Sequence, residues 1–286
     1  MSSLLSPSLL ARLERLQLVT RRRLAGGMAG DHRSPRHGAS LDYADVRDYY
    51  PGDDLRRLDV NALARLDRLL VTLFEAEDEL TLRLLIDTSA SMAGAKLDLA
   101  VRLAGALGFA ALVRRDIVSV HPFPAAVPPA RFRGRGQATA LFDRLGSLEA
   151  GGGTPLVAAA DRILAQPGSP GLTIVFSDLL TPEWDDGLRR LPARRGELVV
   201  VHVLDRSDVD PDLSGDLELV DAESGDRLEV SLSASVLDDY RLLVARWIDD
   251  VAARVRSAGG TVVPVMATDD VERVILGRAR DAGVVR

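Results

Sequence analysis

The chain has 286 residues, of which 47% are hydrophobic and 27% charged, with 36 basic against 42 acidic side chains and a net charge of −6. That composition suits a globular protein with a substantial core, and it gives no footing to nucleic acid as the main partner. With no cysteine in the chain, disulfides, thiolate metal sites and a cysteine nucleophile are excluded, and a reducing, cytoplasmic setting is expected.

The chain begins MSSLLSPSLLARLERLQLVTRRRLAGG, where Arg12, Glu14 and Arg15 interrupt the apolar residues, so no signal-peptide core is expected. Pro7 to Leu18 has leucines at helical spacing (Leu9, Leu10, Leu13, Leu16, Leu18), with Ser6 as cap and Pro7 at the first helical position. A basic stretch from Arg21 to His37 follows, which reads as a solvated loop. Residues 1–78 are set apart on this pattern as an N-terminal extension, and 79–286 as the main domain.

From Glu79 onward, strands and helices alternate. Strands are expected at Leu80–Ile86, Ile117–Val120, Leu172–Phe176, Leu198–Leu204 and Thr261–Met266. Helices are expected at Leu97–Arg114, Ala138–Leu145, Pro155–Ala165 (capped by Thr154), Glu183–Leu191, Ser233–Ser257 and Asp270–Ala279. Pro122 to Pro129 is too rich in proline for a helix. Leu217–Val220 and Arg227–Val230 flank the turn-forming Ser224-Gly225-Asp226 and read as a hairpin. The longest apolar run, Leu103 to Val113, is bounded by Arg102 and Arg114, which fits a buried helix and leaves no membrane span. Such alternation predicts an α/β fold, a mostly parallel, Rossmann-like sheet flanked by helices.

Ligands of such sheets bind at the carboxyl ends of the strands. There the chain places Asp87, Ser89 and Ser91 after one strand and Ser177 and Asp178 after another, with Gly151-Gly152-Gly153-Thr154 opening a helix between them. Asp87, Ser89, Ser91, Thr154 and Asp178 form an all-oxygen set, the preference of hard cations such as Mg2+ or Mn2+. Only two of the five carry charge, so a bound dication stays electron-poor and accepts a further carboxylate from outside. Each residue also has a plain structural reading: Ser91 and Thr154 as helix caps, Asp178 as a turn former.

The pattern Asp87-x-Ser89-x-Ser91, followed by Thr154 and Asp178, resembles the metal-ion-dependent adhesion site of von Willebrand factor A domains. The resemblance implies that the serines, with Thr154 or Asp178, contact the metal directly or through water. A second stretch, from Tyr43 through Arg47-Asp48-Tyr49-Tyr50-Pro51-Gly52-Asp53-Asp54 to Asp59, Ala64 and Arg65, resembles the signature of the family called domain of unknown function 58. Val60 stands where that signature has tryptophan. This family resemblance implies a partner role beside MoxR-type AAA+ ATPases in assembling or remodelling other proteins, and the chain resembles its soluble short form. The interleaved Asp53, Asp54, Asp59 and Arg47, Arg56, Arg57, Arg65 are expected to pair ionically.

The expectation is therefore a metal-dependent binding module that grips a Glu or Asp of a protein partner, with no enzyme activity. The alternative is a metal-dependent phosphatase or hydrolase with Asp87 as nucleophile; Ser89 stands where that chemistry wants a second aspartate. Neither G-x-x-x-x-G-K-[ST] nor G-x-S-x-G is present, and His121 and His202 read as packed histidines.

Overall fold

A computed structural model describes residues 4–20, 41–50, 58, 62, 63, 65, 68–76, 80–124, 128–165, 171–191 and 196–286, with the backbone alone for 41–47 and 72–76. The chain divides into two units, Ala25–Glu79 and a larger one of Met1–Leu24 with Leu80–Arg286. In the smaller unit, β1 (Leu41–Asp48) pairs antiparallel with β2 (Leu70–Ala76), with a register shift between Tyr43 and Asp45, and Leu58 bridges Val71. The basic stretch 21–37 and the expected ion pairs of Asp53, Asp54, Asp59, Arg56 and Arg57 lie outside the described residues, as does the side chain of Arg47.

Strands apolar on both faces must be covered on both faces, and the larger unit is built that way. Its sheet comprises β3 (Thr81–Asp87), β4 (Ile117–Phe123), β5 (Ala130–Arg133), β6 (Leu172–Ser177), β7 (Glu197–Leu204) and β10 (Thr261–Met266). The strand order is β10-β7-β6-β3-β4-β5, parallel throughout except for β5, which runs antiparallel to β4. The α/β fold with a mostly parallel sheet expected from the sequence is thus present. From β3 the chain moves to β4 on one side, whereas from β6 it moves to β7 on the other. The connections diverge between β3 and β6, and their carboxyl ends frame a crevice of the kind where such sheets bind ligands.

On one face, Leu82, Leu84 and Ile86 of β3 pack with α1 (Pro7–Leu13), α2 (Ala95–Val113), α3 (Ala138–Gly146) and the C-terminal helical turns α8 (Val271–Arg273) and α9 (Ala279–Asp281), which flank a π turn (Val274–Arg278). On the other, Leu85, Val175 and Val200 pack with α4 (Leu156–Ala165), α5 (Trp184–Arg190) and the C-terminal half of α7 (Ala234–Ser257). A short α6 (Arg206–Val209) and a hairpin of β8 (Gly215–Val220) and β9 (Arg227–Leu232) come between β7 and α7.

Helix α2 is buried almost all round rather than along one stripe, because α1 and α3 lie on the side away from the sheet. Its glycines make that approach possible: a Cβ at Gly108 would stand 2.7 Å from Leu141 Cδ2, and one at Gly105 would stand 2.8 Å from Leu4 Cδ2. The N-terminal leucines do not form part of a separate extension with the residues up to 78. Leu5, Leu9, Leu13 and Leu18 are buried in the main core, and Leu18 bridges Val285. A leucine stripe on a single short helix has no way to leave water except against another apolar surface. The helix also ends at Leu13 rather than Leu18, with Ser6 Oγ accepting from Leu9 N as its cap. Among the described residues, no helix is long and apolar enough to cross a membrane.

Candidate functional site

Asp87 ends β3 and is fully buried. Its Oδ1 accepts from Ser89 N at 2.9 Å and its Oδ2 from Ser177 Oγ at 2.5 Å. The first bond is an Asx turn that swings the chain out of the strand, and the second ties the ends of β3 and β6 together across the crevice. Burial pushes the Asp87 carboxyl up to about 7, against the pull of the hydrogen bonds from Ser177 and Ser89, and nearby Asp178 adds to the rise. Ser89 then precedes the helical turn Ala90–Met92, which carries Ser91, and the two hydroxyl oxygens are 3.0 Å apart.

Thr154 reaches these serines because its loop is clamped to theirs by backbone bonds. Ala90 N donates to Gly152 O at 2.8 Å, and Gly151 N donates to Thr88 O at 2.7 Å. Gly152 has φ 79, a conformation that disfavours any residue with a Cβ. A Cβ there would also come within 3.1 Å of Pro124 Cγ.

A carboxylate that sequence reasoning missed sits on these hydroxyls. Glu223, in the turn of the β8–β9 hairpin, accepts from Thr154 Oγ1 at 2.7 Å and Ser91 Oγ at 3.4 Å through Oε1, and from Thr154 N at 3.1 Å through Oε2. A lone acid in an ordinary turn, 132 positions from Ser91, carries no local pattern that would point to it.

Asp178 is also fully buried, but it does not hydrogen-bond the serines. Its Oδ1 accepts from Leu180 N at 3.1 Å, and its Oδ2 accepts from Lys96 Nζ at 2.8 Å, which also donates to Asp208 Oδ2 at 3.0 Å. Lys96 itself is buried; burial pulls its ammonium down, yet Asp178 and Asp208 hold it above the usual lysine value. His202 Nε2 donates to the Asp178 carbonyl at 3.0 Å, and burial lowers this histidine, consistent with a neutral ring packed edge-on against Trp247. The next residue, Leu179, has φ 57 and is fully buried, with its N–H on Ser177 Oγ. Positive φ at a residue with a bulky side chain is uncommon and clusters at functional sites.

The structure therefore gathers Asp87, Ser89, Ser91 and Thr154 around one crevice and sets Asp178 beside it, salt-bridged to Lys96. Among the described residues, no group of three or more His, Cys, Asp or Glu side chains is placed to hold a metal ion, so any cation here would rest mainly on hydroxyls. The donor set fits a hard cation in its chemistry, since every donor is oxygen. Ser89 Oγ, Ser91 Oγ, Glu223 Oε1 and Thr154 Oγ1 form a continuous hydrogen-bonded run with separations of 3.0, 3.4 and 2.7 Å.

Comparison with known proteins supplies relatives. The pattern of DUF58, described as a protein of unknown function, matches residues 45–247. The uncharacterized protein Rv1480 of Mycobacterium tuberculosis is 32% identical over 293 residues, covering 96% of this chain and 92% of the relative. The uncharacterized protein Mb1516 of Mycobacterium bovis gives the same figures. Among solved structures, the conserved hypothetical protein BatB from Bacteroides thetaiotaomicron is 14% identical, covers 71% of this chain and 98% of its own, and has a TM-score of 0.41. An aerotolerance-related membrane protein from Bacteroides fragilis is likewise 14% identical, with the same coverage and a TM-score of 0.43. On the family match and the near full-length similarity to Rv1480, the chain belongs to the DUF58 family.

Proposed function

We propose that the larger unit is a von Willebrand A-like, metal-dependent protein-binding module, which takes Mg2+ or Mn2+ and through it a Glu or Asp side chain of a partner. The observation that carries this reading is the carboxylate of Glu223 resting on Ser91 and Thr154, next to Ser89. A carboxylate thus sits against hydroxyls that this reading assigns to the metal, which supports it. Ser89, Ser91 and Thr154 would hold the cation directly, with Asp87 and Asp178 behind them; a bound dication would favour the ionised form of Asp87, while Asp178 shares its charge with Lys96. When bound, the metal would act as a Lewis acid toward an incoming carboxylate oxygen.

Two features support binding over catalysis. Asp87 is fully buried and both its oxygens are engaged, which suits an anchor rather than the nucleophile of the phosphatase alternative. His121 and His202 are buried, with His121 Nε2 on Ser119 Oγ at 2.9 Å and the Nε2 proton of His202 spent on a backbone carbonyl. The partner class follows from family resemblance: a MoxR-type AAA+ ATPase, working with this chain in assembly or remodelling of other proteins in the cytoplasm.

A ligand that binds only the folded state stabilises it by about 2.7 kcal/mol at a hundredfold excess over the dissociation constant. For a domain of this size that is a rise of roughly 5–11 °C in Tm. Thermal melting with Mg2+ or Mn2+ should show the rise in the native chain and not in Ser91→Ala; equal shifts in both would sink the metal site. Capture of a co-expressed MoxR-type ATPase in Mg2+, lost on chelation, tests the partner.

A further inference from the structure

We infer that Glu223 is a built-in occupant of this site: the β8–β9 hairpin supplies the carboxylate that an outside partner would otherwise present, so the partner binds only when the hairpin lifts. The inference rests on the metal-site reading and adds its regulation.

Three observations lead there. Glu223 reaches the site hydroxyls through its carboxylate, both oxygens accepting from Thr154 and one of them also from Ser91. Its turn is built to present it: Asp221 Oδ1 accepts from Glu223 N at 2.9 Å and from Ser224 N at 2.7 Å, Gly225 takes φ 76, and Ser224 bonds Asp226. These bonds fix the turn without using the Glu223 side chain.

The rest of the hairpin has little else to hold it down. Every residue of β8 and β9 is exposed or only half-buried, and Leu219, Val220 and Leu228 stand 38%, 56% and 62% exposed. An isolated two-stranded hairpin is marginally stable by itself. The Glu223 contacts are thus the polar tie between the hairpin tip and the crevice, and losing them frees the tip at small cost to the core. A tethered carboxylate competes at an effective concentration of the order of millimolar. It screens out free carboxylates and weakly binding partners, and yields to one that also engages the apolar hairpin surface.

The experiment titrates Mn2+ into the full chain and into Glu223→Gln, which keeps the turn and its shape but removes the charge. Binding is followed by water-proton relaxation, and hairpin order by hydrogen exchange of residues 215–232. In the native chain, Mn2+ should slow exchange at the turn, and millimolar acetate should leave the relaxation of the bound ion unchanged. In Glu223→Gln, Mn2+ should bind about tenfold more weakly, the turn should exchange fast with or without metal, and acetate should now displace bound water. If Glu223→Gln binds Mn2+ as the native chain does, with the same exchange and no response to acetate, the inference is overturned while the metal site stands. If neither protein binds Mn2+, both fall.

Discussion

Removing the Lys96 ammonium should cost far more than removal of a surface lysine. The side chain of Lys96 is 7% exposed, and its partners Asp178 and Asp208 are 0% and 16% exposed. Exposed ion pairs are worth about 0–1 kcal/mol, whereas taking one partner from a buried pair strands the other charge and costs about 3–5 kcal/mol. Lys96→Met keeps the length and apolar character of the stem while deleting the charge. At neutral pH the whole deficit should appear, because a lysine held above 10.5 in the folded state contributes fully below that value and loses its contribution only as pH rises through the folded one. Guanidinium unfolding should show a loss of about 3–5 kcal/mol for Lys96→Met, or roughly 6–20 °C in Tm. Adding Asp178→Asn should recover much of it, since the most deeply buried stranded charge is then gone. A loss below about 1 kcal/mol in the single variant would mean that the pair is solvated and the geometry around Asp178 is misread.

Other consequences concern the scaffold. Burial, with Arg83, Arg131 and Arg162 nearby, lowers His121 from 6.5 to about 4. The unfolded chain therefore binds the extra proton first, and stability should fall as pH drops from 6.5 towards 4, by about 3 kcal/mol for a shift of this size. His121→Gln should flatten that part of the stability profile in denaturant melts at stepped pH, and an unchanged slope would remove His121 as its source. Gly187 on α5 meets α4 so closely that an added Cβ would stand 2.4 Å from Leu156 Cγ. Gly187→Ala should destabilise by about 1–3 kcal/mol through overpacking, and a neutral result in the same melts would show that the helices can part.

What was legible in the sequence was what local pattern encodes. The run Leu82–Ile86, apolar but for Arg83, ends in Asp87, so a strand bearing a polar tip could be read directly, and Thr154 behind three glycines stood out in the same way. The β8–β9 hairpin followed from its turn residues. Strand β5 escaped notice because Ala130–Arg133 is four residues long and only Phe132 in it is buried. The strand expected at Ile117–Val120 runs on through Pro122 to Phe123: β5 covers β4 only as far as Val120, so no partner on that side needs the missing N–H of Pro122.

Lys96 and Glu223 were invisible for a different reason. A lysine in the first turn of a helix and an acid in an exposed turn are ordinary solvated residues until the fold brings Asp178 and Ser91 to them. The sequence reading of Thr154 as a helix cap was the local alternative; in the structure its hydroxyl goes to Glu223. Asp178 was read as a member of the metal set, an alternative to Thr154 for contact with the ion, and Lys96 shows that its charge is already partly spent.

The most direct test is equilibrium binding of Mn2+, counted by electron paramagnetic resonance of the free ion, to the native chain and to Ser89→Ala/Ser91→Ala. The hydroxyl-lined site predicts one saturable ion per native chain and none for the double variant at the same concentrations. Equal binding by the two proteins, or no saturable binding by the native chain, would contradict it.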